Sequence, residues 1–189
     1  MIRIGIVGDI GSGKSFVAYK FGYPVFNADQ EVSKLYKFDK RCFKKLNKVL
    51  PKHILSFPIT KKQIISAIIE NNLNLKKIIK IIHPLIRIKM KNFLHKNKNK
   101  KIIVLDIPLL LENKINNKKD VIVFVESKKK EITKRLKKRK NFNMKLINKF
   151  RKIQLSLEYK KKKSQFIIRN NFSKTFLKKD INRVLETIL

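Results

Sequence analysis

Glycine is concentrated near the start of this 189-residue chain: four of its five glycines lie in residues 5–15, GIVGDIGSGKS, and the fifth is Gly22. Glycine accepts positive φ and allows other groups to approach the backbone closely. The cluster follows a short apolar run, IRIGIV (2–7), and precedes SFVAYKF (15–21), which has a helical pattern. We therefore predict a strand, a glycine-rich turn and a helix that ends at Gly22.

Two later runs, KIIVLD (101–106) and DVIVFV (120–125), are apolar along nearly their whole length. Strands that are apolar on both faces are typical of parallel sheets covered by helices. Shorter strands are predicted at 23–29 and 165–170, and helices at 15–21, 30–50, 61–95, 127–140, 142–162 and 174–188. Pro84 is expected to interrupt the third of these helices and begin a new one. This alternation predicts an α/β fold with a five-stranded parallel sheet in three layers.

The number of cysteines and the length of the apolar runs indicate which cellular compartment suits this chain. Cys42 is the single cysteine, which rules out an internal disulfide framework and suits a reducing compartment. No apolar run approaches the roughly 18 residues of a membrane span, and the first strand leaves no room for a signal peptide. We expect a cytoplasmic protein that does not engage a membrane.

The formal net charge of +35 admits two interpretations. It could mark a nucleic-acid-binding surface, or it could reflect a base composition that favours the A/T-rich codons of Lys, Ile and Asn. A nucleic-acid footprint is usually clustered and interleaved with aromatic residues, whereas the basic residues here spread through most of the chain. We favour the second interpretation and expect no specific nucleic-acid partner, although such a surface still attracts anionic substrates.

Residues 8–15, GDIGSGKS, match the phosphate-binding pattern G-x-x-x-x-G-K-[ST], and they lie between a predicted strand and a predicted helix. In such a loop backbone N–H groups hold phosphate oxygens, the lysine (Lys14) reaches the β- and γ-phosphates, and the serine (Ser15) helps to hold Mg²⁺. Asp29 and Asp106 are each the last residue of a predicted strand, where helix N-capping is the alternative role. Parallel sheets bind ligands beyond the carboxyl ends of their strands, so Asp106 is expected to support Mg²⁺ there.

Several motifs follow one another along the chain: GDIGSGKS (8–15), NAD (27–29) and HPLI (83–86), and then those of the C-terminal half. Together they resemble the dephospho-CoA kinase family, which has GGIGSGKS at the first position, usually DAD at the second and a His-Pro motif at the third. DIPLLLEN (106–113), KRLKKR (134–139), Gln154 with Glu158, and the IIRN tail (167–170) follow in family order over almost the whole chain. Asp9 and Asn27 depart from the family pattern, where glycine and aspartate are usual.

The resemblance implies transfer of the ATP γ-phosphoryl group to the ribose 3′-hydroxyl of dephospho-CoA, with ATP and Mg²⁺ as cofactors. By position, the phosphates of ATP would be held by Gly11, Ser12, Gly13, Lys14, Ser15 and Phe16. The catalytic set would be Asp29 as base, Lys14 and Arg139; the metal set would be Ser15 and Asp106. Substrate would be contacted by His83, Pro108, Leu109, Glu112 and Arg135. For His83 the alternative is a packed residue, and for the two arginines a solvated basic face.

The resemblance also implies a single P-loop kinase domain over residues 1–189. Its core would comprise 1–30 and 100–189, its helical CoA-binding lobe about 31–95, and its lid about 134–150. ATP and dephospho-CoA are the expected partners, and a monomer is expected. Two other functions stay open: another P-loop kinase of nucleoside monophosphates or small molecules, and a basic, non-catalytic protein that binds nucleotides and nucleic acid.

Overall fold

A computed structural model describes residues 1–138, 142–172 and 174–189, without the side chains of residues 174–176. The strands are β1 (Ile2–Gly8), β2 (Val25–Asn27), β3 (Ile102–Asp106), β4 (Val121–Glu126) and β5 (Phe166–Arg169). The helices are α1 (Lys14–Lys20), α2 (Ala28–Phe38), α3 (Lys40–Val49), α4 (Lys61–Glu70), α5 (Asn72–Lys96), α6 (Lys129–Lys137), α7 (Met144–Lys152), α8 (Leu157–Lys162) and α9 (Lys174–Ile188). All five predicted strands are present; β1 and β4 each end one residue later than predicted, and the other three lie within their predicted bounds.

The strands form one sheet in the order β2-β3-β1-β4-β5, and every neighbouring pair is parallel. This confirms the predicted α/β fold with a five-stranded parallel sheet. The register aligns Asn27 with Asp106 and places Gly8 beside Val125 at the carboxyl edge of the sheet. Loops that follow parallel strands meet at this edge, which is where such folds bind ligands.

The chain divides into two compact units, and the first comprises residues 1–27, 97–143 and 153–189. Its core lies between the sheet and the helices α1 and α9. The buried side chains are Ile4, Ile6, Val17, Ala18, Phe21, Ile102, Val104, Val123, Val125, Ile168, Leu177, Ile181 and Val184. Burying each larger aliphatic side chain contributes about 1.5–3 kcal/mol, so this core holds the carboxyl edge in place.

The second unit comprises residues 28–96 and 144–152 and is built from α2, α3, α4, α5 and α7. The predicted helix over 30–50 is divided at Asp39, whose side chain caps α3 by accepting the N–H of Cys42 at 2.8 Å. The segment predicted over 61–95 is divided at Asn71, and α4 begins with a capping box between Thr60 and Gln63.

The prediction that Pro84 begins a new helix is wrong, because α5 runs through this residue without a break. Proline lacks the N–H that would bond one turn back, and its ring crowds that turn, so it normally interrupts a helix. Here Ile78, Ile82 and Ile86 are buried along the same helix on both sides of the proline. Their packing outweighs the local cost of Pro84.

No helix among the described residues combines the length and the apolar character needed to cross a lipid bilayer.

Candidate functional site

The loop that joins β1 to α1, residues 8–15, has the backbone of a phosphate-binding loop. Gly8, Gly11 and Gly13 have φ of 147°, 89° and 90°, values that residues with a side chain rarely adopt. Gly13 is also the N-cap of α1 in the left-handed conformation, and no side chain in the described part of the chain caps the helix there.

Lys14 and Asp9 lie within the loop itself. Lys14 Nζ donates to the carbonyl oxygens of Asp9 at 2.8 Å and Gly8 at 3.3 Å, so its amine lies over the loop. Asp9 Oδ1 accepts the N–H of Ile10 at 2.7 Å, so a carboxylate occupies one of the loop's own donors. The loop therefore carries both a cation suited to phosphate and an anion that opposes it.

Two side chains that follow other strands hold the loop by hydrogen bonds to Ser12, which is fully buried. The carbonyl oxygen of Ser12 accepts Asn170 Nδ2 at 2.8 Å and Ser127 Oγ at 2.9 Å. Asn170 follows β5 and Ser127 follows β4, so the loop is tied to two neighbouring strand ends. Sequence reasoning placed Asn170 only in a family motif and did not single out Ser127, which carries no motif of its own.

The side chains of Ser15 and Phe16 differ in exposure. Ser15 is exposed at the start of α1, as a ligand of a nucleotide-bound cation needs to be. The Phe16 ring is partly buried and packs against the hydrophobic core of the first unit. Phe16 can therefore bind phosphate only through its backbone, because its ring packs against the core.

Asn27 and Asp106 stand side by side at the ends of β2 and β3. Asn27 Nδ2 donates to Asp106 Oδ2 at 2.6 Å, and both residues are buried. Among the described residues no cluster of three or more His, Cys, Asp or Glu could hold a metal ion. Mg²⁺ in nucleotide sites takes one or two protein oxygens together with phosphates and waters, so a donor set of Ser15 hydroxyl and Asp106 carboxylate fits it.

The DIPLLLEN run forms a turn after β3. Pro108 and Leu109 are half-buried, and Leu110 is fully buried. A Cβ at Gly5 would lie 2.4 Å from Leu110 Cδ2, so Gly5 makes room for this leucine rather than for phosphate. Glu112 Oε1 accepts the N–H of Leu155 at 3.0 Å and pairs with Lys160 Nζ at 2.8 Å.

Arg135 lies in α6 with its guanidinium 3.9 Å from the centre of the Phe172 ring. Leu136 and Ile132 of the same helix face the loop, since a Cβ at Gly11 would lie 3.0–3.1 Å from their side chains. Helix α6 thus carries Arg135 and also packs against the phosphate loop at Gly11. Arg139, the other arginine predicted for the lid, lies outside the described residues.

Two predicted site residues, Asp29 and His83, belong to the second unit. Asp29 is exposed in the first turn of α2. His83 is half-buried in α5, and burial, reinforced by the charge of Arg87, lowers the pKa of its ring below the ordinary 6.5. His83 is therefore a neutral hydrogen-bonding group at neutral pH. Its contact with an acceptor substrate stays a prediction.

The family model and a curated relative point to the same family. Residues 2–175 match the family model for dephospho-CoA kinase. A dephospho-CoA kinase from Wolbachia pipientis wMel is 33% identical over 98% of this chain and 97% of its own length.

Among solved structures, a protein from Thermus thermophilus superposes with a TM-score of 0.79 at 24% identity, over 100% of this chain and 98% of that one. A dephospho-CoA kinase from Campylobacter jejuni superposes with a TM-score of 0.62 at 21% identity, over 98% of this chain and 96% of that one. At these identities the two structures support the fold.

Proposed function

This chain belongs to the dephospho-CoA kinase family, and from that membership we propose that it phosphorylates the ribose 3′-hydroxyl of dephospho-CoA with ATP, giving coenzyme A and ADP. The observation that carries the proposal is the family match over residues 2–175, because it includes both the phosphate loop and the DIPLLLEN turn. A phosphate loop alone would leave the acceptor open.

The phosphates of ATP would lie in the loop of residues 11–16, against backbone N–H groups and Lys14. Two contacts support this role: Asn170 and Ser127 both hold the carbonyl of Ser12, so the loop is braced before a nucleotide arrives. A preorganised loop stabilises the transferring group without reorganising during the reaction. Mg²⁺, held by Ser15 and Asp106, would neutralise charge on the β- and γ-phosphates.

In the transfer itself, the 3′-hydroxyl oxygen forms a bond to the γ-phosphorus while the bond from that phosphorus to the β–γ bridging oxygen breaks. The hydroxyl proton passes to the carboxylate of Asp29, and ADP leaves with the bridging oxygen. Asp29 is exposed, so a substrate can reach it. Arg135 and Arg139 would offset the charge on the transferring group, and closure of a lid would exclude water as the competing acceptor.

The helices of residues 31–95 would bind the acceptor, with His83 as a neutral contact and with Pro108 and Leu109 at the turn after β3. Residues 134–150 would form the lid. We further propose that the protein works in the cytoplasm as a monomer. The strongly basic chain would attract both anionic substrates, whatever the origin of its charge.

The test is to incubate the purified protein with Mg-ATP and dephospho-CoA and to follow coenzyme A by mass spectrometry. Lys14→Met is the matched control, because it removes the amine over the loop while keeping most of the side-chain volume. Product with the wild type and a large loss with the control are expected. Phosphorylation of AMP or another small acceptor, with dephospho-CoA unchanged, would refute the proposed acceptor.

A further inference from the structure

Lys160 is a buried lysine in a chain whose other described lysines and arginines are at least partly exposed. Its side chain is 1% exposed, and its Nζ contacts Glu112 Oε1 at 2.8 Å and Gln154 Oε1 at 2.9 Å. The three lysines that follow it in the sequence are exposed. A lysine is buried in this way only when partners replace the water around its charge.

This ion pair is poorly explained by stability alone. A buried ion pair loses much of its Coulombic gain to desolvation, and hydrophobic residues of similar volume often serve as well or better. Glu112 Oε2 is, in addition, a buried oxygen that has no hydrogen-bond partner among residues 1–138, 142–172 and 174–189. An unsatisfied buried oxygen is itself destabilising. The pair therefore calls for a role other than stabilising the core.

The ion pair joins the turn after β3 to α8. Glu112 Oε1 accepts both Lys160 Nζ and the N–H of Leu155, so one oxygen contacts α8 and also the segment that leads into it. Lys160 is itself held by α8, where its N–H donates to the carbonyl of the N-cap Ser156 at 3.1 Å. The cation at the far end of the pair is therefore anchored.

The backbone hydrogen bonds seen in the turn that carries Glu112 are local ones. Within it, Leu110 donates its N–H to the Ile107 carbonyl at 3.2 Å and Asn113 donates to the Leu109 carbonyl at 3.1 Å, which are local bonds. Leu110 anchors the middle of the turn by inserting over Gly5, and Glu112 anchors its C-terminal part. Pro108 and Leu109, the residues predicted to meet the acceptor, immediately precede the Leu110 anchor.

We propose that Lys160 is a positioning residue: through Glu112 it holds the turn of residues 107–113 where the acceptor substrate binds. The inference rests on the proposed function and deepens it. It assigns Glu112 to orienting the turn, in place of the direct substrate contact predicted from the sequence. A misplacement of about 1 Å at a substrate contact can cost up to about 100-fold in rate, so a loose turn would be visible in kinetics.

The test is the double variant Lys160→Met with Glu112→Leu, which removes both charges while nearly keeping the volume. Because neither charge is left unpaired, the variant is expected to fold with a melting temperature near that of the wild type. The KM for dephospho-CoA should rise about tenfold or more, while the KM for ATP stays within about twofold. Lys161→Met, at the neighbouring exposed lysine that pairs with Glu126, is the matched control and should leave both values unchanged.

An unchanged KM for dephospho-CoA in the folded double variant would overturn the inference, and so would a parallel rise in both KM values. If the double variant does not fold, Lys160→Gln decides by the same criterion, because it removes the ammonium group that reaches Glu112 and puts a shorter, neutral polar side chain in its place. If the wild type makes no coenzyme A, the proposed function fails separately. Hydrogen exchange then tests the positioning: faster exchange of amides 109–113 in the double variant supports it, and unchanged exchange refutes it.

Discussion

Gly13→Ala, measured beside Gly22→Ala, separates the cost of a left-handed backbone from the cost of crowding the phosphate loop. Both glycines have strongly positive φ, 90° at Gly13 and 76° at Gly22. At Gly22 an added Cβ would have no atom of the described residues within 4 Å, its chain neighbours aside. Gly22→Ala therefore measures the backbone cost alone, about 1 kcal/mol.

At Gly13 the same Cβ would lie 2.3 Å from Asn170 Nδ2 and 3.2 Å from Phe172 Cε1. Asn170 cannot withdraw freely, because Nδ2 donates to the buried carbonyl of Ser12 at 2.8 Å. Breaking that bond and leaving its groups unsatisfied costs about 1–3 kcal/mol. Adding the backbone cost, Gly13→Ala should lower the free energy of unfolding by about 2–4 kcal/mol.

Urea unfolding followed by circular dichroism gives the two free energies of unfolding, and titration calorimetry gives ATP affinity. Gly13→Ala should weaken ATP binding, whereas Gly22→Ala should leave it nearly unchanged. In a background of Asn170→Ala the penalty at Gly13 should shrink, since the main clash is gone, with a coupling of about 1 kcal/mol or more. Equal penalties at the two glycines, or no coupling to Asn170, would refute the account of the loop given above.

Three further outcomes are expected. Asp9→Asn keeps an acceptor for the N–H of Ile10 but removes a negative charge beside the phosphates. Calorimetry should therefore show about fivefold tighter ATP binding at low salt, and an unchanged affinity would contradict this prediction. Asp29→Asn should lower kcat about 100-fold with ATP affinity intact, and an unchanged kcat would remove Asp29 from the mechanism. The pKa of His83 is lowered in the folded protein, so the unfolded chain binds the proton of this residue more readily. The contribution of His83 to the free energy of unfolding is therefore full above pH 6.5. It is lost as the pH falls from that value towards the folded pKa. In urea titrations across pH 5.5–7.5 His83→Gln should therefore lose less stability on acidification than the wild type, and equal slopes would speak against a buried, neutral His83.

The fold was largely predictable because its signals are local. KIIVLD and DVIVFV are apolar on both faces, which is typical of the strands of a covered parallel sheet. Helix boundaries were less predictable. The continuity of α5 through Pro84 accompanies the burial of Ile82 and Ile86 on the same helix, which no local pattern reports.

The candidate site was predictable in part. The phosphate loop follows from spacing, and its glycines do adopt positive φ at Gly8, Gly11 and Gly13. Gly5 belongs to the same cluster in the sequence but makes room for Leu110 instead. Ser127 could not have been found, because one serine after a strand carries no signal until the strand order places it behind Ser12.

By itself, the sequence determined the parallel sheet and the loop at its carboxyl edge, because apolar runs and glycine spacing act over a few neighbouring residues. Only the tertiary structure decided which of four consecutive lysines, residues 160–163, is buried and which three face solvent. Side chains successive along a helix point in different directions, and the direction that meets Glu112 and Gln154 exists only once the strand and helix packing is complete. The same chemical group thus serves as a solvated charge at Lys161 and as a buried anchor at Lys160.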